Sequence, residues 1–399
     1  MMINHSPAEE ATDSINTYPA TADRATLSLA SILQSEIEKN GSMAFDQWME
    51  QCLYHPEFGY YTNGDKRVGR EGDFYTSISV GSCFGMILAH RIITYANEQR
   101  NLSSLSIVET GANTGQLACD ILDTLSTEAP DLYSKLSYVI CEPLDSMRST
   151  QLQTLNQHTA KLTHLAQISD TSPPLPHAIL LSNELIDAFP VKLITKIDGV
   201  WLEKLVTSSD SGFDFENASI ESAELTQFIR TLPEELPDGY LTEFRPCLSK
   251  FATTCSESIE QGLIITIDYG HIDKDFYSLE RVTGSLRTFY QHTAGEDPLE
   301  NIGVQDITAH VDFTQLAKCF QTVNLAPTYF DTQSRYLTHH AHSWFKCIEE
   351  SGEAPPSKLI RQFQTLTHPA MMGRQFHVLE CMKNAEQNPA VLTKLNAGL

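Results

Sequence analysis

Nowhere in the 399 residues is there a run of about 18 uncharged apolar residues, so neither a membrane-spanning helix nor a membrane partner is expected. Basic residues are also scarce. Lys and Arg number 27 against 51 Asp and Glu, a formal net charge of −24. A reader of duplex nucleic acid needs a basic stripe to offset phosphates, and none of useful length is present. Nucleic acid is therefore not an expected partner, whereas such acidity keeps a chain soluble and can steer a cationic partner toward it. The nine cysteines are scattered, odd in number and never spaced C-x-x-C, which excludes a zinc ribbon and favours reduced thiols. The first residues show no basic region followed by an apolar run and hold more Asp and Glu than Arg. Neither a secretory nor a mitochondrial leader is read there, and a cytoplasmic location is expected. The G-x-S-x-G elbow of many hydrolases is missing as well.

Apolar residues make up 41% of the chain, enough for a sizeable core, and its length suits roughly two to three units. Residues 1–24 are polar without periodicity and read as a solvated tail. An N-terminal helical subdomain is expected over 25–100. There Leu29, Ile32, Leu33 and Ile37, then Phe45, Trp48, Met49 and Leu53, recur at three and four, as in two amphipathic helices broken at Asn40-Gly41. From 101 to 190 short apolar strands near 105–109, 137–142, 162–166 and 178–183 alternate with helical segments at 115–125 and 144–155. That alternation implies an α/β chain with a parallel, doubly wound sheet. Residues 191–245 break the rhythm and read as a hairpin-bearing insertion. The core resumes over 246–270, a second insertion spans 271–311, and 312–399 form a C-terminal core whose strand near 376–379 could close the sheet.

The chemistry gathers at strand ends. Between a strand and a helix stands Glu109-Thr-Gly-Ala-Asn-Thr-Gly115, a turn that brings backbone N–H groups close to a ligand. It is neither the G-x-G-x-x-G of dinucleotide binders nor a phosphate loop with Lys and Ser/Thr. Glu142 ends the second strand, where a carboxylate can accept both hydroxyls of an adenosyl ribose. The fourth strand ends in Ser182-Asn183-Glu184, with Asp187 one helical turn beyond Glu184 on the same face. Asn183 could hold a methionine portion or receive the substrate's nucleophile. Each feature alone has an ordinary structural explanation; Glu109, the glycine turn, Glu142 and Asn183 all falling at strand ends does not.

These segments resemble the family of class I methyltransferases that includes MidA and the mitochondrial complex I assembly factor with arginine methyltransferase activity. The resemblance runs from about Ser42 to Leu379. It rests also on Tyr54-His-Pro-Glu-Phe-Gly-Tyr-Tyr61, Glu71-Gly-Asp-Phe-Tyr-Thr-Ser77, Asn183-Glu-Leu-Ile-Asp-Ala-Phe-Pro190, Ile267-Asp-Tyr-Gly270, Asp306-Ile-Thr-Ala-His-Val-Asp-Phe313 and Met372-Gly-Arg-Gln-Phe376. It implies a Rossmann-like methyltransferase sheet, S-adenosylmethionine as cofactor, and arginine side chains of a partner protein as substrate. Cofactor residues are then expected at Glu109, Gly111, Asn113, Gly115, Glu142 and Asn183, with Asp73, Thr76 and Ser77 as a lid by resemblance alone. Glu184 and Asp187 are the expected catalytic pair. One departure stands out: the family's turn reads E-x-G-P-G-x-G, and Asn113 replaces the middle glycine. Asn tolerates φ > 0, so the backbone path can survive, although its side chain would crowd the ligand's carboxylate end. An assembly module that keeps the fold without turnover is the alternative, and a nicotinamide-dependent oxidoreductase a weaker one; a homodimer stays open. No metal site is expected, because His339 and His342 at helical spacing lack a completing ligand. His292 and His310 could shuttle a proton, and Tyr54, Phe58, Tyr60 and Tyr61 read mainly as packing of the N-terminal subdomain.

Overall fold

The two N-terminal helices form where the apolar periodicity places them, as α1 (Leu29–Asn40) and α2 (Phe45–Tyr54), in a computed structural model that describes residues 28–63, 76–100, 102–210, 212–351 and 356–396. Ser28 caps α1 by accepting the Ser31 N–H at 3.2 Å, and Gly41 ends the helix at φ +93°. The buried stripe of α2 includes Phe45, Trp48, Met49 and Leu53. That stripe packs on Val191, Leu193 and Val206 from the first insertion and on Leu286 and Ile307 from the second. N-terminal helices and both insertions therefore share one apolar cluster.

Strand and helix then alternate through the core. The strands are β1 (Leu105–Thr110), β2 (Leu136–Cys141), β3 (Leu162–Leu165), β4 (Leu175–Asn183), β5 (Ile259–His271), β6 (Leu325–Thr332) and β7 (Phe376–Lys383). Their order is β3-β2-β1-β4-β5-β7-β6. The first five run parallel, and β7 is antiparallel to both β5 and β6. Near-continuous apolar runs such as Leu263 to Ile267 belong in such a sheet because both faces are covered. On one face lie α3 (Cys83–Glu98) and α4 (Gln116–Glu128), with Phe84, Ile87, Leu117 and Ile121 against Ile107, Ile179 and Ile265. The helices Leu248–Glu257 and Phe313–Thr322 cover the other. Strand β7 lies inside the sheet and is bordered by β6, which the periodicity does not announce. A buried bidentate pair, Arg91 Nε to Glu380 Oε1 at 2.8 Å and Nη2 to Oε2 at 3.0 Å, joins α3 to β7.

The first insertion is larger than a hairpin. Lys192–Ile197, Val200–Ser209 and Gly212–Ser219 form an antiparallel meander, and Leu241–Phe244 pairs with its first strand. The second insertion carries a small sheet of Arg287–Tyr290 between Thr293–Gly295 and Asp306–Thr308. His339 and His342 do not share one helix, since Gln333–His340 ends at Ala341 before His342–Ser351 begins. Among the described residues no helix is long and apolar enough to cross a membrane.

The contact of α3 with α4 sets where the turn after β1 enters its helix. A Cβ on Gly85 would lie 2.5 Å from the Asp120 Cβ and 3.3 Å from the Ile121 nitrogen, so only glycine permits this approach. Gly85→Ala should destabilise the fold by about 1–3 kcal/mol in urea unfolding. An unchanged midpoint would mean that the two helices are not held at this distance in solution.

Candidate functional site

The strand order reverses between β1 and β4, and ligands of doubly wound sheets bind beyond the carboxyl ends of the strands at such a reversal. There the chain leaves β1 through Gly111 (φ +80°), Asn113 (φ +46°) and Gly115 (φ +82°) into α4. Asn113 thus takes the left-handed backbone path open to glycine. Its carbonyl accepts Gln151 Nε2 at 2.8 Å, and the same nitrogen donates to Glu142 Oε2 at 3.3 Å. Gln151 is fully buried on the helix α5 (Asp145–Thr154), with its Oε1 2.9 Å from His164 Nε2. One side chain therefore ties the turn after β1 to the carboxylate after β2.

Glu142 Oε1 accepts the Leu144 N–H at 2.9 Å. Burial raises its pKa, opposed by the Leu144 N–H, the Gln151 amide and Arg148. An ionised carboxylate has about four acceptor positions, so those left over can take a vicinal diol. The exposed Gly111 and this half-buried carboxylate fit an adenosyl ligand across the ends of β1 and β2. Glu109 is placed differently. It is buried and accepts the Tyr138 hydroxyl at 2.8 Å, and burial pushes its pKa up to about 7. Asp73 lies outside the described residues.

The expected helix carrying Glu184 and Asp187 is absent. Strand β4 ends at Asn183 and the chain turns from Glu184, which has φ +50°, with no helical segment before the next strand. The reason is Asp268 on β5. Its Oδ2 accepts the N–H groups of Leu185 at 3.2 Å, Ile186 at 2.9 Å and Asp187 at 3.3 Å, so three successive amides point at one carboxylate. Glu184 still lies within reach of the Asp187 charge. Asn183 Nδ2 donates to Glu184 Oε1 at 3.0 Å, and the Ser77 backbone N–H also binds the Glu184 carboxylate. Thr76, whose hydroxyl accepts from Ser79 N at 3.2 Å, stands next to that contact. Asn183 Oδ1 is buried without a hydrogen-bond partner among the described residues.

Burial, then the charge of Asp187, pushes the Glu184 pKa up to about 8. Burial pushes Asp187 up to about 6, against the pull of Arg245. Asp268 is raised well above the carboxylate range by burial and by Asp187. Arg245, itself buried, spends its guanidinium on carbonyls: Nη1 donates to His310 at 2.7 Å and Nη2 to Ala309 and, at 3.4 Å, to Asp187.

Tyrosines lie beside these acids. Tyr54 donates to the Ala188 carbonyl at 3.0 Å, and Tyr61 to Asp306 at 2.9 and 3.0 Å. Their rings stack at 5.5 Å, and burial with the charge of Asp306 raises both hydroxyl pKa values. The packing role expected for these tyrosines is thus incomplete. Sequence reasoning assigned Asp268 no separate role, although it closes the apolar run from Leu263, inside a strand that continues to His271. Gln151, Arg245 and Asp306 carry no local signal. His310 lies beside His271 at 5.2 Å, and burial followed by His271 lowers its pKa to about 3.

A family model described as "Putative S-adenosyl-L-methionine-dependent methyltransferase" matches residues 87–330. The protein arginine methyltransferase NDUFAF7 homolog, mitochondrial, of Drosophila melanogaster is 28% identical over 381 residues, covering 88% of this chain and 84% of that one. Its Danio rerio counterpart is also 28% identical, covering 88% and 86%. A Burkholderia thailandensis crystal structure, of "a COG1565 superfamily member and likely methyl transferase", contains S-adenosyl-homocysteine. It aligns with a TM-score of 0.79 at 28% identity, covering 90% of this chain and 92% of that one. The expected cytoplasmic location is corrected here, because the fly, zebrafish and rat relatives are all named as mitochondrial. Net charge and composition describe a surface and do not by themselves report a location. With the family model spanning more than half of its length and a ligand-bound structure matching its fold, the chain belongs to the S-adenosylmethionine-dependent methyltransferases, an enzyme with S-adenosylmethionine as its cofactor.

Proposed function

We propose that the enzyme methylates arginine side chains of a partner protein. The observation that carries this reading is the pair of Glu184 and Asp187, whose pKa values burial raises to about 8 and about 6. One bound cation relieves both desolvation costs, and a planar guanidinium has donors enough for two carboxylates. Tyr54, Tyr61 and Tyr269 supply flat, polar-tipped walls whose hydroxyls are themselves held neutral by burial and the surrounding acids. Beside the turn, a groove of about 370 Å³ is lined by Glu36, Asp46 and Glu50 from α1 and α2, with Pro190, Pro246 and Cys247 opposite. It suits the basic flank of a polypeptide. The names of the fly and zebrafish relatives support the same acceptor.

The turn Gly111–Gly115 and Glu142 hold the cofactor, Glu142 through the ribose hydroxyls, while Asn183 Oδ1 is open to an N–H donor from either ligand. When bound, S-adenosylmethionine supplies a methyl group already activated on a sulfonium. What remains for the protein is alignment and removal of one proton. Glu184 and Asp187 accept guanidinium N–H groups in the plane of the group, which leaves its face open for in-line attack. A C–N bond forms as the C–S bond breaks, and the methylated nitrogen sheds one proton. Glu184, raised to about 8, is matched to accept that proton near neutral pH.

Glu142→Ala should weaken S-adenosyl-homocysteine binding by roughly 100-fold in calorimetric titration, the loss of charge-assisted bonds to a diol. The thermal midpoint of the free protein should stay within about 4 °C. Wild-type affinity in this variant would remove Glu142 from the ribose.

The pH dependence follows from the direction of both shifts. Raised carboxyl pKa values leave the pair protonated at low pH and charged only as pH climbs. The kcat/KM for an arginine peptide should therefore rise from about pH 6 to about pH 9, with apparent values that belong to the pair. Glu184→Gln should remove the upper limb and lower kcat/KM by roughly 100-fold. A wild-type profile flat over that range would take these acids out of the acceptor site.

A further inference from the structure

The acceptor turn is an unusual piece of backbone: a non-glycine residue at φ +50° followed by three amides aimed at one oxygen. Its carbonyls are held as well. The Asp187 carbonyl accepts the Ala309 N–H at 3.0 Å and Arg245 Nη2 at 3.4 Å, and the Ala188 carbonyl accepts the Tyr54 hydroxyl at 3.0 Å. All three grips on the carbonyl side come from neutral or cationic donors outside the sheet strands that carry the turn. On the amide side, Asp268 takes the N–H groups of Leu185, Ile186 and Asp187, the last of which also serves the Asp187 carboxylate, while the Glu184 N–H goes to the Ile267 carbonyl. The Asp268 carboxylate is fully buried, and its second oxygen accepts the Tyr269 N–H at 2.8 Å.

We propose that Asp268 is the positioning residue of the acceptor site. By gathering the amides of Leu185, Ile186 and Asp187 onto Oδ2, it holds Glu184 and Asp187 side by side without touching either substrate. The inference rests on the acceptor reading above, since it assigns the held pair to the substrate. A helix would satisfy the same amides internally and would send Glu184 and Asp187 along one face about a turn apart. A turn whose donors are drawn to a single point instead keeps both carboxylates buried within reach of each other's charge, and burial followed by the Asp187 charge raises Glu184.

Asp268→Asn keeps the size of the side chain and cannot restore the pattern. An amide has one acceptor oxygen, so either the three-amide side or Tyr269 N–H would face an NH₂ group. Hydrogen exchange by mass spectrometry, run on the S-adenosyl-homocysteine complex, reads the turn directly. We expect exchange across residues 185–187 to quicken roughly tenfold or more, with ligand affinity within about threefold of wild type. With an arginine peptide, kcat should fall roughly 100-fold, and the acid limb of its pH profile should move to lower pH as the two carboxylates separate. Where Asp268→Asn does not fold, Asp268→Ser, smaller and still an acceptor, carries the same comparison. Unchanged exchange overturns the proposal, as does quickened exchange with an unchanged kcat. A loss of S-adenosyl-homocysteine affinity in step with kcat also overturns it, because that marks general damage. If the wild-type enzyme leaves arginine peptides unmethylated, the acceptor assignment fails separately, and the exchange and affinity measurements still decide what Asp268 holds.

Discussion

A carboxylate taken out of water must find donors, and Asp268 finds four of them in the backbone of its neighbours. This one requirement shapes the turn after β4. It prevents the segment after β4 from coiling into a helix. It also fixes the direction in which Glu184 and Asp187 leave the chain and brings Arg245 in as the nearest compensating charge. A buried carboxyl is expensive unless fully bonded, and even with these four backbone donors the Asp268 pKa stays raised. Glu184 accepts from Asn183 and Ser77, and Asp187 from the Ala188 and Asp187 amides, yet burial still raises both pKa values.

The apolar cluster under α2 explains how distant parts of the chain reach that turn. Tyr54 is the last residue of α2 and Tyr61 follows it, while Asp306 comes from the second insertion, 245 residues beyond Tyr61. Burial of Phe45, Trp48 and Leu53 against Val191, Leu193, Leu286 and Ile307 brings these pieces to one place. Lys192 adds a bridge at the same seam, 3.1 Å from Asp46 and 2.8 Å from Glu203. The insertions therefore lie beside Tyr54, Tyr61 and the acids after β4.

The legible part of this arrangement was what local pattern dictates. Alternating apolar runs and helical stripes led to the parallel sheet, and the glycine turn, Glu142 and Asn183 could be aligned because each follows a strand. The same reasoning could have reached Asp268, which closes the apolar run from Leu263, but an Asp after such a run does not say whether it faces a ligand or a neighbouring turn. For Glu184 and Asp187 the three-residue spacing was read with the wrong geometry, since a clamp from another strand overrode the local preference. Gln151 was out of reach altogether: its helix is polar, and only the fold shows that this one glutamine is buried between two strand ends.

Gly111 shows why the two halves of the site should be thought of together. A Cβ there would lie 3.2 Å from Leu185 Cδ1, so the missing side chain makes room for the acceptor turn as much as for a ligand. Leu185 is also the first residue whose amide Asp268 holds. The turn after β1 and the turn after β4 are thus in contact through one leucine, with Ser77 joining from the N-terminal side at Glu184. Methyl transfer needs its donor and acceptor atoms in line to within a fraction of an ångström. Packing the two turns against each other through Leu185 couples their positions, and Asn113, two residues from this contact, keeps the left-handed backbone of the turn at φ +46°.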